Sequence, residues 1–505
     1  MKLKNRGVPC DFPQDTGIDF RGIFPYKEEL LMTHQALIIA AGFGSRLQRH
    51  DGDIPKPLRK VGGMPLIKRA ILCGKEAGIR EFVIVVGFQK EKIIQALDEK
   101  KLGVKLTFVE NPEWEKPNGV SVLKAKPHLL ENFVLLMSDH IFEPRTLAKL
   151  IKAPLWENKA ILAVDTKLES IFDMDDATKV VVEKDQIKEI GKELKNYNAV
   201  DTGMFLCSQE VFTVLEETSK TKAPSLSNGI RLLAKRNQMG SMDVGNAFWQ
   251  DVDTKGSLKH AERFLLNSCR KPTDGLISRN FNRYISLFIT KYLLKTSLSA
   301  NTVTFLTTLV GVTSGILVAQ GTYLPLIVGA FLFKLSSILD GCDGEMSRIT
   351  MTSSKLGQWL DTASDNFTYV CFFIGAVVGL FNQGHPHALL LGSLALLGVG
   401  MTLLVMFTYL IKHTDSGSLL AIQKDFQQNQ TTSPFKKFFQ SVSFMTKRDF
   451  FSVTFLFMAL VNRLDWIVLS TILGAHAMWM VLISNRLGLF KASNQELIKV
   501  HSLKE

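Results

Sequence analysis

From residue 302 onward the chain carries runs with almost no charge, such as "LLLGSLALLGVGMTLLVMFTYLI" at 389–411. Runs of this kind lie near 302–320, 323–340, 365–381, 387–411, 450–462 and 465–484. A helix of ~20 apolar residues crosses the ~30 Å hydrocarbon layer of a bilayer. Inside that layer every backbone N–H and C=O must be satisfied within the segment, which leaves helices as the solution. The second half is therefore expected to be an all-α, six-helix transmembrane domain. Residues before about 270 alternate charged and apolar stretches, as a soluble domain does, so the apolar fraction of 46% is unevenly spread.

Charge sets the expected orientation, because Lys and Arg collect on the cytoplasmic side. The segments before the first run and between the fourth and fifth hold Lys291, Lys295, Lys412, Lys424, Lys436, Lys437, Lys447 and Arg448. The loops at 320–323 and 381–386 hold none, and the loop near 463 holds only Arg463. The soluble domain then lies on the cytoplasmic face of a cell (inner) membrane, with the protein a multi-pass one. The net charge of +12 fits a membrane surface and phosphate substrates. No Lys/Arg block with interleaved aromatics favours nucleic acid. The six cysteines form no C-x-x-C pair, so neither a zinc site nor a disulfide framework is suggested. The start, "MKLKNRGVPCDF", has basic residues without an apolar core behind them and does not read as a secretory signal.

"HQALIIAAGFGSRL" is the clearest local signal of the first half. Ala36 to Ala40 reads as a buried strand. Gly42 and Gly44 follow, then Arg46. A strand running into a glycine-rich turn and a helix lets backbone N–H groups reach phosphate oxygens. Lys56 lies between Pro55 and Pro57, a stiff loop suited to presenting one cation to a phosphate. Further strands at 82–87, 105–110 and 133–139 alternate with helices at 64–77 and 90–100, which predicts a parallel, Rossmann-like α/β sheet. Asp139 falls at the C-terminal end of a strand, where such sheets bind ligands. It reads either as a turn cap or as a metal ligand, and its position favours the ligand.

The ordered motifs "AAGFGSRL", "PKPL", "NPEWEKPNGVSVL", "MSDHIF", "IGKEL", "DTGMF" and "WQDVDT" resemble the sugar-phosphate nucleotidyltransferases, and among them the CTP:inositol-1-phosphate cytidylyltransferases, over about 34–265. The resemblance implies that Gly42, Gly44 and Arg46 hold the triphosphate while Lys56 supports the α-phosphate. It implies Asp139 and Asp251 as Mg²⁺ ligands, Asn118 and Gly119 facing base or sugar, and Lys192 on the acceptor phosphate. "DVDT" offers both Asp251 and Asp253, and the place after Trp249 favours Asp251.

"LDGCDGEMSRITMTSSKLGQWLDTASD" carries Asp340, Asp343, Asp361 and Asp365 beside an apolar run. Spacings of three and four put each pair on one helix face. A hairpin through "ITMTSSK" brings four carboxylates together at the membrane boundary. An all-oxygen set suits hard cations such as Mg²⁺ or Mn²⁺. Acids that merely face water at span ends account for one or two of the four, not for this spacing with Gly344, Gly357 and Arg348. The pattern D-x2-D-G-x2-S-R-x8-G-x3-D-x3-D resembles the CDP-alcohol phosphotransferase signature, with Ser347 where alanine is usual, over about 275–490. It implies Asp340, Asp343 and Asp361 as ligands of two metals, with Asp365 completing the metal site and acting as general base. Cytidine diphosphate would lie against Gly344, Arg348 and Gly357.

The fusion itself suggests a pathway, since one half makes a CDP-alcohol and the other consumes one. The chain is similar to bifunctional enzymes that form CDP-inositol from CTP and inositol 1-phosphate and then transfer phosphoinositol to a second inositol 1-phosphate. Arg279, Arg283 and Arg448 are candidate phosphate ligands, with anchoring to anionic lipid headgroups as the other reading. A lipid alcohol as acceptor is the competing enzyme reading. A transporter or anchor with a regulatory domain is a third, and the chain shows no clear repeat in its favour. The expected partition is an N-terminal extension 1–33, a cytidylyltransferase 34–266, a linker and juxtamembrane helix 267–300, a transmembrane domain 301–488 and a tail 489–505. A homodimer through the membrane domain is expected.

Overall fold

The computed structural model describes residues 35–44, 54–129, 132–220, 224–271, 274–413 and 448–486. Arg46 and the basic residues Lys424, Lys436, Lys437 and Lys447 lie outside them, as do the extension 1–33 and the tail 489–505.

The soluble half is built on β1 (Gln35–Ala40), whose LIIA core is nearly wholly buried. The short β2 (Lys60–Val61) and β3 (Met64–Pro65) form a separate ladder, and α1 (Leu66–Glu76) follows. Then come β4 (Glu81–Val86), α2 (Lys90–Ala96), α3 (Glu99–Leu102), β5 (Lys105–Glu110) and α4 (Gly119–Ala125). β6 (Asn132–Met137), β7 (His140–Phe142), α5 (Pro144–Ile151) and β8 (Ala160–Asp165) lead to β9 (Lys179–Glu183), β10 (Gln186–Gly191) and β11 (Ala199–Ser208). α6 (Glu210–Ser219), α7 (Leu226–Lys235), β12 (Met239–Asp243), β13 (Trp249–Asp251) and α8 (Lys255–Asn267) complete the domain.

A nine-stranded sheet has the order β5-β4-β1-β6-β11-β8-β12-β10-β9. β5, β4, β1 and β6 are parallel, as helical crossovers demand. The sheet then turns mixed, because β11 runs antiparallel to both β6 and β8. The expectation of a parallel sheet thus holds for the first four strands and, beyond them, for the β8–β12 pair. β9 and β10 are joined by Lys184 and Asp185, both at positive φ (49° and 60°), which is the twist a two-residue hairpin needs. "KD" carries no glycine to announce such a turn.

In the second half a π-helical turn (Ser278–Asn282) enters α9 (Arg283–Leu293), a short amphipathic helix. α10 (Ala300–Val318), α11 (Tyr323–Ile349), α12 (Lys355–Asn382), α13 (Ala388–His413), α14 (Arg448–Leu460) and α15 (Leu464–Arg486) follow. α10 and α12 touch backbone to backbone: a Cβ on Gly375 would stand 2.2 Å from the Gly315 carbonyl oxygen. Small residues at a membrane crossing replace the hydrophobic drive that lipid cannot supply.

Among the described residues five helices are long and apolar enough to cross a bilayer: α10, α11, α12, α13 and α15. α14 has 13 residues, about 20 Å of helix, and falls short of the ~30 Å layer. Its start adjoins the segment 414–447, outside the described residues.

The two halves pack together. The Met351 side chain joins an apolar cluster of the soluble domain, its Sδ 3.9 Å from Cys73 Sγ. A Cβ on Gly62 would strike Ile349, and one on Gly63 would strike the Leu294 carbonyl oxygen. The connection between α11 and α12, which carry the four aspartates, is thus seated on the soluble domain.

Candidate active sites

The first site forms where β6, β7 and β13 meet. Asp139 follows β6, and Asp251 ends β13, which pairs with β7 so that Asp251 stands opposite His140. Lys56 Nζ reaches into the group. It lies 2.5 Å from Asp139 Oδ2 and 3.8 Å from Asp251 Oδ1, and it pairs with Asp253. His140 Nδ1 is 2.7 Å from Asp139 Oδ1 and its ring stacks on Trp249. The atoms of Asp139, His140 and Asp251 lie within 4.8 Å of one another, and so do those of Asp176, Asp251 and Asp253. Asp251 Oδ1 is buried without a hydrogen-bond partner.

Electrostatics here is dominated by proximity. Burial by itself would raise the Asp139 carboxyl, but Lys56 and His140 outweigh it and hold it well below the usual range. Burial would lower the His140 imidazole; Asp251 and Asp139 reverse this and raise it to about 9. Asp201, which accepts the Gly203 N–H at 2.7 Å, is pushed by burial up to about 6.

A cavity of about 270 Å³ opens beside the group, lined by Asn118, Lys192, Asp176, Asp201, Trp249 and Asp251 among others. Asn118 Oδ1 also accepts the Leu226 N–H at 3.0 Å, tying α4 to the start of α7. Gly119 leaves no room for a side chain, since its Cβ would stand 2.6 Å from the Pro224 carbonyl oxygen. Lys192 Nζ is ion-paired to Asp176 at 2.8 Å. Gly42 has open space around it, whereas Gly44 combines φ +65° with Lys56 Cβ only 2.7 Å from where its own Cβ would be. Gly44 is therefore what lets the turn close over Lys56.

The second site lies among α11, α12 and α14. Carboxylate atoms of Asp340, Asp361 and Asp365 fall within 4.8 Å of one another. Asp343 points elsewhere: it accepts hydrogen bonds from Thr304 Oγ1 on α10 and from the Gly344 N–H. Arg448, at the start of α14, pairs with Asp365 and lies 3.1 Å from Asp340 Oδ1, donates to Ser336 Oγ at 3.1 Å and sits 5.1 Å above the Tyr369 ring. Its Nε has no hydrogen-bond partner, and neither have Nε and Nη2 of the buried Arg348 guanidinium. Gly344 and Gly357 are open: the Cβ of the first would approach Arg348 Nη1 at 3.4 Å, that of the second Ser354 Oγ at 3.2 Å and Asn301 Oδ1 at 3.6 Å.

Arg283 is committed to carboxylates. It donates to Asp274 at 2.8 and 3.0 Å and to the fully buried Glu345 at 2.7 Å, and Glu345 also accepts from Ser286 and Thr290 at 2.6 Å. It braces α9 against α11. Arg279 is exposed and reaches back toward the Asp274 carbonyl oxygen at 3.5 Å. Sequence reasoning passed over His140, Asp176, Asp201, Thr304 and Asn301. "SDH" at a strand end could have flagged His140; the others carry no local signal.

Residues 36–173 match the MobA-like NTP transferase domain family, and residues 297–484 match the CDP-alcohol phosphatidyltransferase family. Fold, acidic centres and matches together define an enzyme that joins a nucleotidyltransferase to a membrane-associated CDP-alcohol phosphotransferase. A "Bifunctional IPC transferase and DIPP synthase" of Aquifex aeolicus is 36% identical over 68% of this chain and 76% of its own length. One of Rubrobacter xylanophilus is 36% identical over 68% and 77%. One of Archaeoglobus fulgidus is 32% identical over 72% and 69%. The chain belongs to this family of bifunctional transferases. A solved structure of the inositol-1-phosphate CTP transferase from T. maritima is 29% identical, covering 46% of this chain and 94% of that one, with a TM-score of 0.43.

Proposed function

We propose that the chain makes CDP-inositol from CTP and inositol 1-phosphate, and then transfers phosphoinositol from CDP-inositol to a second inositol 1-phosphate, releasing CMP. The observation that carries this reading is that one chain holds two separate acidic centres, each with its own cation, in the two domains from which its relatives' double name is built.

A divalent cation, Mg²⁺ or Mn²⁺, fits both centres. The donors are carboxylate oxygens with one imidazole, Asp251 Oδ1 accepts no hydrogen bond, and cations of the protein stand among the acids. Asp139 and Asp251 would hold it in the first centre, and Asp340, Asp361 and Asp365, with Asp343 beside them, in the second. Once bound it neutralises phosphate charge and the crowded carboxylates.

In the first reaction a phosphate oxygen of inositol 1-phosphate attacks the α-phosphorus of CTP. The bond from that phosphorus to the bridging oxygen breaks and pyrophosphate leaves with the electron pair. Such transfer depends on positioning and charge. Lys56 places its ammonium at the α-phosphate, Gly42, Gly44 and Arg46 cradle the triphosphate, Asn118 and Gly119 face the nucleoside, and Lys192 meets the acceptor phosphate. In the second, the acceptor hydroxyl attacks the β-phosphorus of CDP-inositol, Asp365 takes its proton, and CMP leaves. Gly344, Arg348 and Gly357 bound the nucleotide. Arg448, beside the base, supports an acceptor that carries a phosphate, with Arg279 at the juxtamembrane rim. Arg283 serves as a brace in this scheme.

The finer architecture is part of the same proposal. A Rossmann-like domain spans 34–266 and a linker 267–300. A bundle at 301–488 crosses six times with α14 as the short crossing. The soluble domain and both sites face the cytoplasm, and the membrane domain dimerises. Purified protein incubated with CTP, Mg²⁺ and inositol 1-phosphate, with and without lipid, tests the reading. Product masses of CDP-inositol and then a phosphodiester of two inositol units support it. Transfer to the lipid alone overturns the second step.

A further inference from the structure

Cys269 and Asp274, in the segment between the two domains, are linked to the helix turn that carries Gly344 and Arg348. Cys269 Sγ meets the Glu345 carbonyl oxygen at 3.9 Å and lies in the apolar cluster of Cys342, Met346 and Ile349. Asp274 accepts the Lys271 N–H at 3.0 Å and is gripped twice by Arg283, which is itself fixed to Glu345. Cys269 is thus tied to α11 directly and Asp274 through Arg283. Lys271 is half-buried, in electrostatic reach of Arg348, Arg283, its neighbour Asp274 and the cluster carboxylate Asp361. Among the described residues its ammonium makes no hydrogen bond or ion pair, and the neighbouring Arg348 leaves two nitrogens unpaired. Lys271 and Arg348 thus flank one edge of a carboxylate cluster. Burial first, and Arg348 and Arg283 next, lower the Lys271 pKa, while the Asp274 and Asp361 carboxylates partly offset them. An arriving polyanion adds charge-assisted contacts to Lys271 and Arg348 alike.

We infer that Lys271, supplied by the interdomain linker, is a donor-binding residue of the membrane site, gripping with Arg348 the diphosphate of the CDP-alcohol. The inference rests on the proposed transfer reaction and names the part of the donor that the linker recognises. The linker then does more than connect: it completes the second site. Lys271 touches the diphosphate in ground and transition states alike, so it acts on affinity more than on turnover.

The test uses the full-length protein in detergent with Mg²⁺. Binding of CDP is measured in an Asp139→Ala background, which silences the first site. Lys271→Met weakens CDP binding by about 10-fold or more, the scale of a lost charge-assisted contact, and flattens its salt dependence. Lys271→Arg restores most of the affinity. Lys295→Met, which removes an exposed cation just past the end of α9, leaves binding as it was. In turnover from supplied CDP-inositol, Lys271→Met raises KM by about the same factor and changes kcat by less than about 3-fold. Unchanged CDP affinity in Lys271→Met overturns the inference, and so does failure of Lys271→Arg to recover it in a variant whose thermal unfolding matches the parent. CDP carries no inositol, so failure of the inositol assignment leaves this binding test intact.

Discussion

The two acidic centres solve one problem with different materials. In the soluble site the cation is Lys56, a single ammonium on a proline-flanked loop of the same domain, beside a cavity of about 270 Å³. In the membrane site it is Arg448, a planar fork from a helix far along the chain, wedged between Asp340 and Asp365 and backed by Tyr369. Lys56 is a point charge shared among three carboxylates, whereas the Arg448 guanidinium is a planar fork held by two carboxylates, a hydroxyl and a ring.

The largest expected effect breaks the pair apart. Asp139→Ala removes a proposed metal ligand and the partner of both Lys56 and His140, so formation of CDP-inositol from CTP falls by ~10³-fold or more, while transfer from supplied CDP-inositol continues. Loss of both reactions in a folded variant refutes two independent centres. Next comes Asp365→Asn, which keeps size and one oxygen but cannot take a proton; transfer falls by ~10²- to 10⁴-fold with CDP binding retained. Asp340→Asn weakens CDP binding instead. Near-normal transfer by Asp365→Asn places the base elsewhere.

The contrast between the cations sharpens with stability measurements. Arg448→Ala strands Asp340 and Asp365 without their counter-charge and lowers stability by ~3–5 kcal/mol in chelator. Mg²⁺ recovers much of it, because the ion takes over the neutralisation. Lys56→Ala shows a smaller loss, and thermal unfolding with and without Mg²⁺ compares the two. An equal loss in both variants erases the distinction drawn here. The smallest effect is Gly44→Ala. Its positive φ and the contact with Lys56 cost ~1–3 kcal/mol of local strain, read as a raised KM for CTP with the membrane reaction unaffected.

The membrane site was largely legible in the sequence because its signal is local. Spacings of three and four on a helix put Asp340 with Asp343 and Asp361 with Asp365 whatever surrounds them. Even so, the periodicity grouped Asp343 with the others, and only the packing of α10 shows Thr304 drawing it aside. The soluble site was legible in its strand and glycine turn. It was not in the convergence of Asp253, Asp176 and His140 on Asp139 and Asp251, since the pairing of β13 with β7 brings together residues more than a hundred positions apart.

By itself the sequence determined that one chain carries a phosphate-binding α/β domain and an apolar helical domain with a metal-ready aspartate pair on each of two helices. Hydrophobic run length and helical period are properties of neighbouring residues, so they survive any tertiary arrangement. The tertiary structure decided which cation faces which acid. It turned the sheet mixed after its fourth strand, committed Arg283 to Asp274 and Glu345, brought Arg448 onto α11 and α12, and laid Lys271 beside Arg348. Except for Arg283 with Asp274, those pairings join residues 62 or more positions apart, and no local pattern encodes a contact that exists only once both partners are folded.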